Sequence, residues 1–357
     1  MRDVATDFEG LARACTAMGS PFTAALLREA VATYRSGDAT IVASLDPLAK
    51  YERPGLHLAG ALHYLALAGD SALARHYPST GGDGDARAAW QAGREILTQT
   101  PERTAPLLAQ IPQTNETARS LPLLAASLLL AAQYTRPLRV FEIGASAGLN
   151  LRFDRFRFEG ADWAWGDPGS PLVLRNRITS GRPAALNARL EIAERRGCDL
   201  HPLDAGKEED RLRLTSFIWA DQRERLDRLR GALTVANAVP VRIDAESYVT
   251  WLPRECRPAR GCVTAIVHTI VEEHFSLQEK AQFAAAVRQC GEHASSDAPV
   301  AHVAMELAER EYPTTVQSWP GDEDEVTICL SDGHAQDIVW QPLGCRGSPP
   351  ASPPVSS

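Results

Sequence analysis

Two textures of apolar and polar positions divide this chain. Up to about residue 135 the apolar residues recur at helical spacing. Phe22, Leu26, Ala30, Val31 and Tyr34 fall on one face. Ser20-Pro21 ahead of them reads as an N-cap followed by proline at the first helical position, and Gly37 stands where a helix would stop. A second segment brings Leu58, Leu62 and Leu65 together and ends near Gly69. Residues 79–85 (STGGDGD) read as a loop, and residues 88–98 as another helix. Thr114 or Asn115 then caps a strongly apolar helix running to about Tyr134, with Pro122 marking a kink or its true start. No segment of this third reads convincingly as a strand.

The period changes at Pro137. Residues 138–143 (LRVFEI) form a short β-rich run that enters Gly144-Ala145-Ser146-Ala147-Gly148, with a helix expected from about Leu149. Residues 157–175 read as a hairpin insertion with Gly, Asp and Pro turns. Further strands are expected at residues 190–193, leading to Gly197-Cys198-Asp199, and at 239–243, 263–271 and 300–305. Helices are expected at about 208–234 and 276–290, and a closing hairpin at 326–330 and 338–340, joined through Asp332-Gly333. The pattern implies an α/β protein. A helical domain (1–135) precedes a Rossmann-like, mostly parallel sheet domain (136–342) with an antiparallel C-terminal hairpin, and a Pro/Ser-rich tail (343–357) is expected to be disordered. In such sheets ligands sit at the carboxyl ends of the strands, near the switch in strand order.

Composition narrows the function classes. The 357 residues carry 37 Lys plus Arg against 45 Asp plus Glu, a formal charge of −8. Residues 300–357 hold nine acids and two bases, so most of the excess lies there. That balance argues against a sequence-independent grip on nucleic acid. The seven cysteines show no Cys-x-x-Cys spacing, which argues against a disulfide framework or a structural zinc. No apolar run approaches the roughly 20 residues of a membrane span, and no apolar signal region opens the chain. A cytoplasmic protein with a small-molecule partner and no membrane association is expected; the oligomeric state is left open.

The loop at 142–148 has two chemical readings. As a glycine-rich strand-to-helix turn, Gly144 and Gly148 let the backbone approach a ligand, and Glu142 accepts hydrogen bonds from a cationic or hydroxylated group. The pattern Glu-x-Gly-x-x-x-Gly differs from the Gly-x-Gly-x-x-Gly dinucleotide fingerprint. As a Gly-x-Ser-x-Gly elbow, Ser146 is a hydrolase nucleophile, with His334 as base and Asp297 or Asp322 as the acid. About 135 helical residues ahead of the elbow and the lack of an upstream His-Gly-Gly loop rank this second. A turn serving only helix–strand packing is the bland alternative.

Further matches favour the first reading. Glu142-Ile-Gly-Ala-Ser-Ala-Gly148 resembles motif I of the class I S-adenosylmethionine-dependent methyltransferases, with Ser146 where a middle glycine is usual. Gly197-Cys-Asp199 is similar to the end of that family's second strand, where an acid holds the ribose hydroxyls. Asp244-Ala245 sits like its adenine-contacting residues, and His268-Thr-Ile-Val-Glu272-Glu-His274 resembles the region facing the acceptor. Over its whole length the chain also resembles a bacterial family catalogued as a domain of unknown function. That resemblance rests on Gln113-Thr-Asn115-Glu116, Glu142 to Asn150, Trp165-Gly-Asp-Pro168 and Glu194 to Asp199.

The resemblance implies S-adenosylmethionine as cofactor, held by Glu142, Gly144, Ala145, Ser146, Gly148, Asn150, Asp199, Asp244 and Ala245. It implies alkyl, most simply methyl, transfer to a small molecule, with His268, Glu272 and His274 as acid–base candidates and no metal. Asn115 and Glu116 are placed as a lid or as a plain helix cap, and Trp165 as an acceptor contact or as filler between hairpin and sheet. Arg152 and Asp154 read as a surface or hairpin-anchoring pair. Cyclisation of the same cofactor, a serine hydrolase and a binding module without chemistry remain alternatives.

Overall fold

A computed structural model describes residues 3–321 and 324–342. The strands are β1 (Leu138–Ile143), β2 (Arg157–Glu159), β3 (Ala164–Trp165), β4 (Val173–Leu174), β5 (Arg177–Ser180), β6 (Ile192–Asp199), β7 (Arg242–Ala245), β8 (Val263–Thr269), β9 (Val300–Met305), β10 (Tyr312–Trp319), β11 (Val326–Ser331) and β12 (Asp337–Trp340). Nine of them form one sheet in the order β5-β12-β11-β10-β9-β8-β1-β6-β7. Five of its eight pairings are parallel, and β9 to β12 form an antiparallel meander. The protein is therefore α/β, with a large, mostly parallel sheet and N-terminal helices.

The chain divides into two compact units. One comprises residues 1–114 and 204–230, the other 115–203 and 231–357. The first is helical and builds its own core, in which Phe8, Leu26, Leu27, Ile41 and Leu45 are fully buried. Each such side chain contributes about 1.5–3 kcal/mol relative to exposure. The expected boundary at 135 moves to Thr114 for a physical reason. The helix Ser120–Tyr134 is buried almost all round and packs on β8 to β11, as a helix apolar on every face must. Pro122 stands at its third position, so it marks a start and not a kink.

The single helix expected at 208–234 is two, Glu208–Ser216 and Arg223–Ala238. The break lies around Asp221, whose carboxylate accepts from the Ser20 hydroxyl and, at 2.7 Å, from the Phe22 amide. Ser20 therefore does not cap the helix Pro21–Arg35 itself; Asp221 does so from a distant part of the chain. Trp219 and Ala220 join the helical core beside it.

The sheet also departs from expectation. Tyr312–Trp319 is a full central strand that its polar alternation and Pro313 concealed. Residues 157–175 form a three-stranded sheet, β3-β2-β4, where a hairpin was expected. A 3-10 segment, Asn150–Arg155, replaces the expected helix after the glycine loop. The tail at 343–357 and the elbow candidate Asp322 lie outside the described residues. Among the described residues, no helix is long and apolar enough to cross a membrane. Among the described residues, six cysteines are free thiols and five of these are buried.

Candidate functional site

The parallel strands β7-β6-β1-β8-β9 run in chain order 3-2-1-4-5, so the order reverses between β1 and β8. The loops after these two strands meet at the reversal, where such sheets bind ligands.

The loop after β1 is pinned from several sides. Gly144, Ser146 and Gly148 all have positive φ (65°, 51° and 64°). The Ser146 amide donates to Asp199 Oδ2 at 2.9 Å, and the His201 amide to Asp199 Oδ1 at 2.8 Å. Asn115 Oδ1 accepts from the Leu149 amide at 2.9 Å, and the Ser120 hydroxyl bonds Asn150 Oδ1 at 2.8 Å. Buried Arg152 grips the loop's exit, donating to the carbonyls of Ala147 (3.2 Å), Gly148 (2.7 Å) and Val239 (2.7 Å). Asp154 receives its two-bond grip from Arg195 instead. Arg152 and Asp154 therefore form neither of the expected pairs, at the surface or anchoring the hairpin.

The two glycines also answer a demand of the fold itself. A Cβ on Gly144 would lie 2.5 Å from Val271 Cγ2, and one on Gly148 would lie 2.8 Å from Ile243 Cδ1. Positive φ and side-chain packing by themselves already require glycine there. Gly197 faces Glu142 across β6–β1, and its Cβ would lie 2.6 Å from that of Ala145.

Glu142 is the outstanding group. It stands one residue before the end of β1 and is 2% exposed, and its Oε2 is buried with no hydrogen-bond partner. Burial, reinforced by the nearby Asp199 charge, pushes its carboxyl up to about 8, while Arg152 and Arg119 pull the other way. Arg119 was not singled out from the sequence. It donates to the carbonyls of Gly333 (3.0 Å) and Thr269 (3.4 Å), so it reaches the end of β8 and the β11–β12 turn.

The loop after β8 is held by Glu306, at the end of β9. Its carboxylate accepts from the Val271 amide (2.9 Å), the Glu272 amide (3.3 Å) and His268 Nδ1 (2.8 Å). Burial alone would raise this carboxyl, but the bonds from His268 and the two amides hold it below its usual value. Ile270 in the same loop has φ 54°, an outlier for a β-branched residue. His268 Nε2 meets His302 Nε2 at 2.9 Å, and burial, with His268 beside it, lowers His302 to about 3.

These contacts sort the expected site residues. His268 is fully buried with both ring nitrogens engaged, so it presents no free face to an acceptor. His274 is exposed and pairs with Glu273 at 3.6 Å. Glu272 lies 4.0 Å from His268 Nε2 and 3.9 Å from Lys280. The three do not form one acid–base cluster. Asp244 accepts from Arg196 and the Trp251 indole at Oδ2 and from Arg242 at Oδ1, so it serves the fold as well as standing at the end of β7; Ala245 beside it is exposed. Glu116 is buried and its side chain caps the short turn at Ala118, while its carbonyl accepts from Asn150 Nδ2 at 3.4 Å, so both lid candidates are tied to the loop, Asn115 through its side chain and Glu116 through its backbone. Trp165 is half-buried and packs against Phe158 within the small sheet. Asp297 pairs with Arg136 and Arg260 at the amino end of the strands and cannot serve Ser146 at the carboxyl end.

A rim of exposed apolar residues borders the same edge. Leu200 (67% exposed) follows β6, Val249 (47%) follows β7, Leu277 (88%) follows β8 and Leu307 (51%) follows β9. Among the described residues, no group of three or more His, Cys, Asp or Glu is arranged to hold a metal ion.

Compared with known families, residues 5–340 match the model described as "Uncharacterized protein conserved in bacteria (DUF2332)". No curated protein matches the chain.

Proposed function

The chain belongs to this bacterial family, and from that premise we propose that it transfers an alkyl group, most simply methyl, from S-adenosylmethionine to a small-molecule acceptor. The observation that carries the reading is Glu142. A buried carboxylate oxygen without a partner, beside the switch in strand order, calls for a cationic ligand group. The residues present fit the cofactor in part. Glu142 would take its ammonium. Asp199, whose oxygens each keep a further lone pair after bonding Ser146 and His201, would take ribose hydroxyls. Ala245 and Asp244, whose Oδ1 accepts one bond from Arg242, are the candidates near the base at the end of β7.

When bound, the cofactor supplies an electrophilic carbon on a sulfonium. The chain's own part is to hold and align. Asn115 and Arg152 keep the β1 loop in shape, and Glu306 sets the β8 loop against it. Glu272, 4.0 Å from His268 Nε2 and 3.9 Å from Lys280, is the acid–base candidate. The apolar rim supports an acceptor with an apolar body.

Calorimetric titration with S-adenosylmethionine and with S-adenosylhomocysteine tests this. Both are expected to bind and to raise the melting temperature. Asp199→Ala is expected to weaken binding about tenfold, through loss of one charged hydrogen-bonding group, with the circular dichroism spectrum retained. No heat and no stabilisation at millimolar ligand would overturn the reading.

One observation favours a second reading. Ser146 sits at φ 51°, the kind of strained turn a nucleophile elbow uses. The bond from its amide to Asp199 accounts for that conformation without catalysis. A fluorophosphonate probe is expected to leave the wild type unlabelled. Labelling that disappears in Ser146→Ala would establish the hydrolase instead.

A further inference from the structure

The helical unit carries a cavity that the proposed reaction does not use. It has a volume of about 450 Å³, within the range of roughly 300–1,000 Å³ usual for small-molecule pockets. One wall comes from residues 40–51 and the other from residues 97–109. Buried Leu48, Leu97 and Leu108 contribute apolar surface to it. The space exists because Ala43, Ala105 and Ala109 stand where longer side chains would fill it, and Pro47 and Pro101 stiffen the backbone on each side.

The polar atoms of this wall ask little of an occupant. The hydroxyl of Ser44 donates to the Thr40 carbonyl at 2.8 Å, that of Thr98 to the Arg94 carbonyl at 3.0 Å, and that of Thr104 to the Pro101 carbonyl at 3.2 Å. Lys50 is the one charged residue of the lining. Its ammonium lies 4.9 Å from the centre of the Tyr51 ring, which is itself stacked on His57 at 4.0 Å, and no ion pair to it occurs among the described residues. Among the described residues, no carboxylate lines the cavity.

We propose that this cavity binds a monoanionic amphiphile, a carboxylate with an apolar body, its head on Lys50 and its body along the leucine wall. An apolar surface with one unpaired cation at its rim is complementary to that class and to no polyanion. The site is independent of S-adenosylmethionine, so its test does not depend on the methyl-transfer reading.

The experiment uses the full chain, with 1-anilinonaphthalene-8-sulfonate as fluorescent reporter and octanoate and 1-octanol as competitors. One reporter per chain is expected, displaced by octanoate. Lys50→Gln is expected to weaken octanoate about fivefold, the loss of one charge contact, while leaving 1-octanol unchanged. Ala105→Trp, at an exposed wall position, is expected to abolish reporter binding. Ala43→Leu does the same from the opposite wall should the tryptophan variant not fold. Absence of octanoate binding, equal octanoate affinity in Lys50→Gln, or undiminished reporter binding in both cavity-filling variants would overturn the proposal.

Discussion

Glu142→Gln is expected to make the protein more stable while removing its affinity for S-adenosylmethionine. The stability half follows from proton linkage. The folded carboxyl is raised to about 8 from an ordinary value of 4.5, so the folded state binds the proton more tightly than the unfolded chain. The stability this supplies is complete below about 4.5 and is lost as the pH rises through about 8. An amide at this position carries no such dependence. Wild type and variant should therefore melt alike near pH 4. The variant should be more stable at pH 9 by at most a few kcal/mol, since each tenfold gain in proton affinity is worth about 1.4 kcal/mol. Thermal melts across that range check the sign.

The binding half follows from charge. A cation seated on Glu142 favours the ionised carboxylate, so binding at pH 7 should release a proton. Calorimetry in buffers of different ionisation heat should reveal that proton in the wild type and not in the variant. A variant that binds as well as the wild type would remove Glu142 from the site.

Glu306→Ala is expected to be among the most damaging single changes in the sheet unit. The carboxylate accepts from two backbone amides and from a fully buried histidine. Removing it leaves all three donors without that partner, and breaking buried charged contacts of this kind typically costs about 3–5 kcal/mol. The loss should be local as well as global. Hydrogen exchange at Val271 and Glu272 should rise well before the amides of β8 and β9 open, because both of these amides donate to the Glu306 side chain. Val271 packs over Gly144, so slackening this loop should also weaken any ligand held by the β1 loop. Glu306→Gln keeps an acceptor and should recover much of the stability. If the alanine variant matched the wild type in urea melts and exchange, Glu306 would not be what holds this loop.

Much of the architecture is legible in local pattern. The helical period before residue 114, the fifth parallel strand at Val300–Met305 and the turn at 144–148 each announce themselves through residues close in sequence. The same holds for the acid before the glycine loop and the acid at the end of β6, since a strand's carboxyl end is a local feature. Period and composition could not reveal partners from far along the chain. Asp221 caps a helix that begins some 200 residues earlier, and this breaks a segment that reads as one amphipathic helix. The central strand Tyr312–Trp319 hides behind threonines and a proline because its neighbours on both sides satisfy it.

The largest revision concerns His268. Its place at a strand end suggested a base facing an acceptor. Glu306 and His302, 38 and 34 residues further on, turn it instead into a buried support for a loop. The amino-acid sequence by itself determined most of the elements and the alternation that makes the sheet mostly parallel, because period, caps and turns act over a few residues. Only the tertiary structure decided which acids and bases at the carboxyl edge of the sheet are already spent on backbone amides and neighbouring side chains and which, like Glu142, are left without a partner. Hydrogen-bond satisfaction is a property of the packed chain.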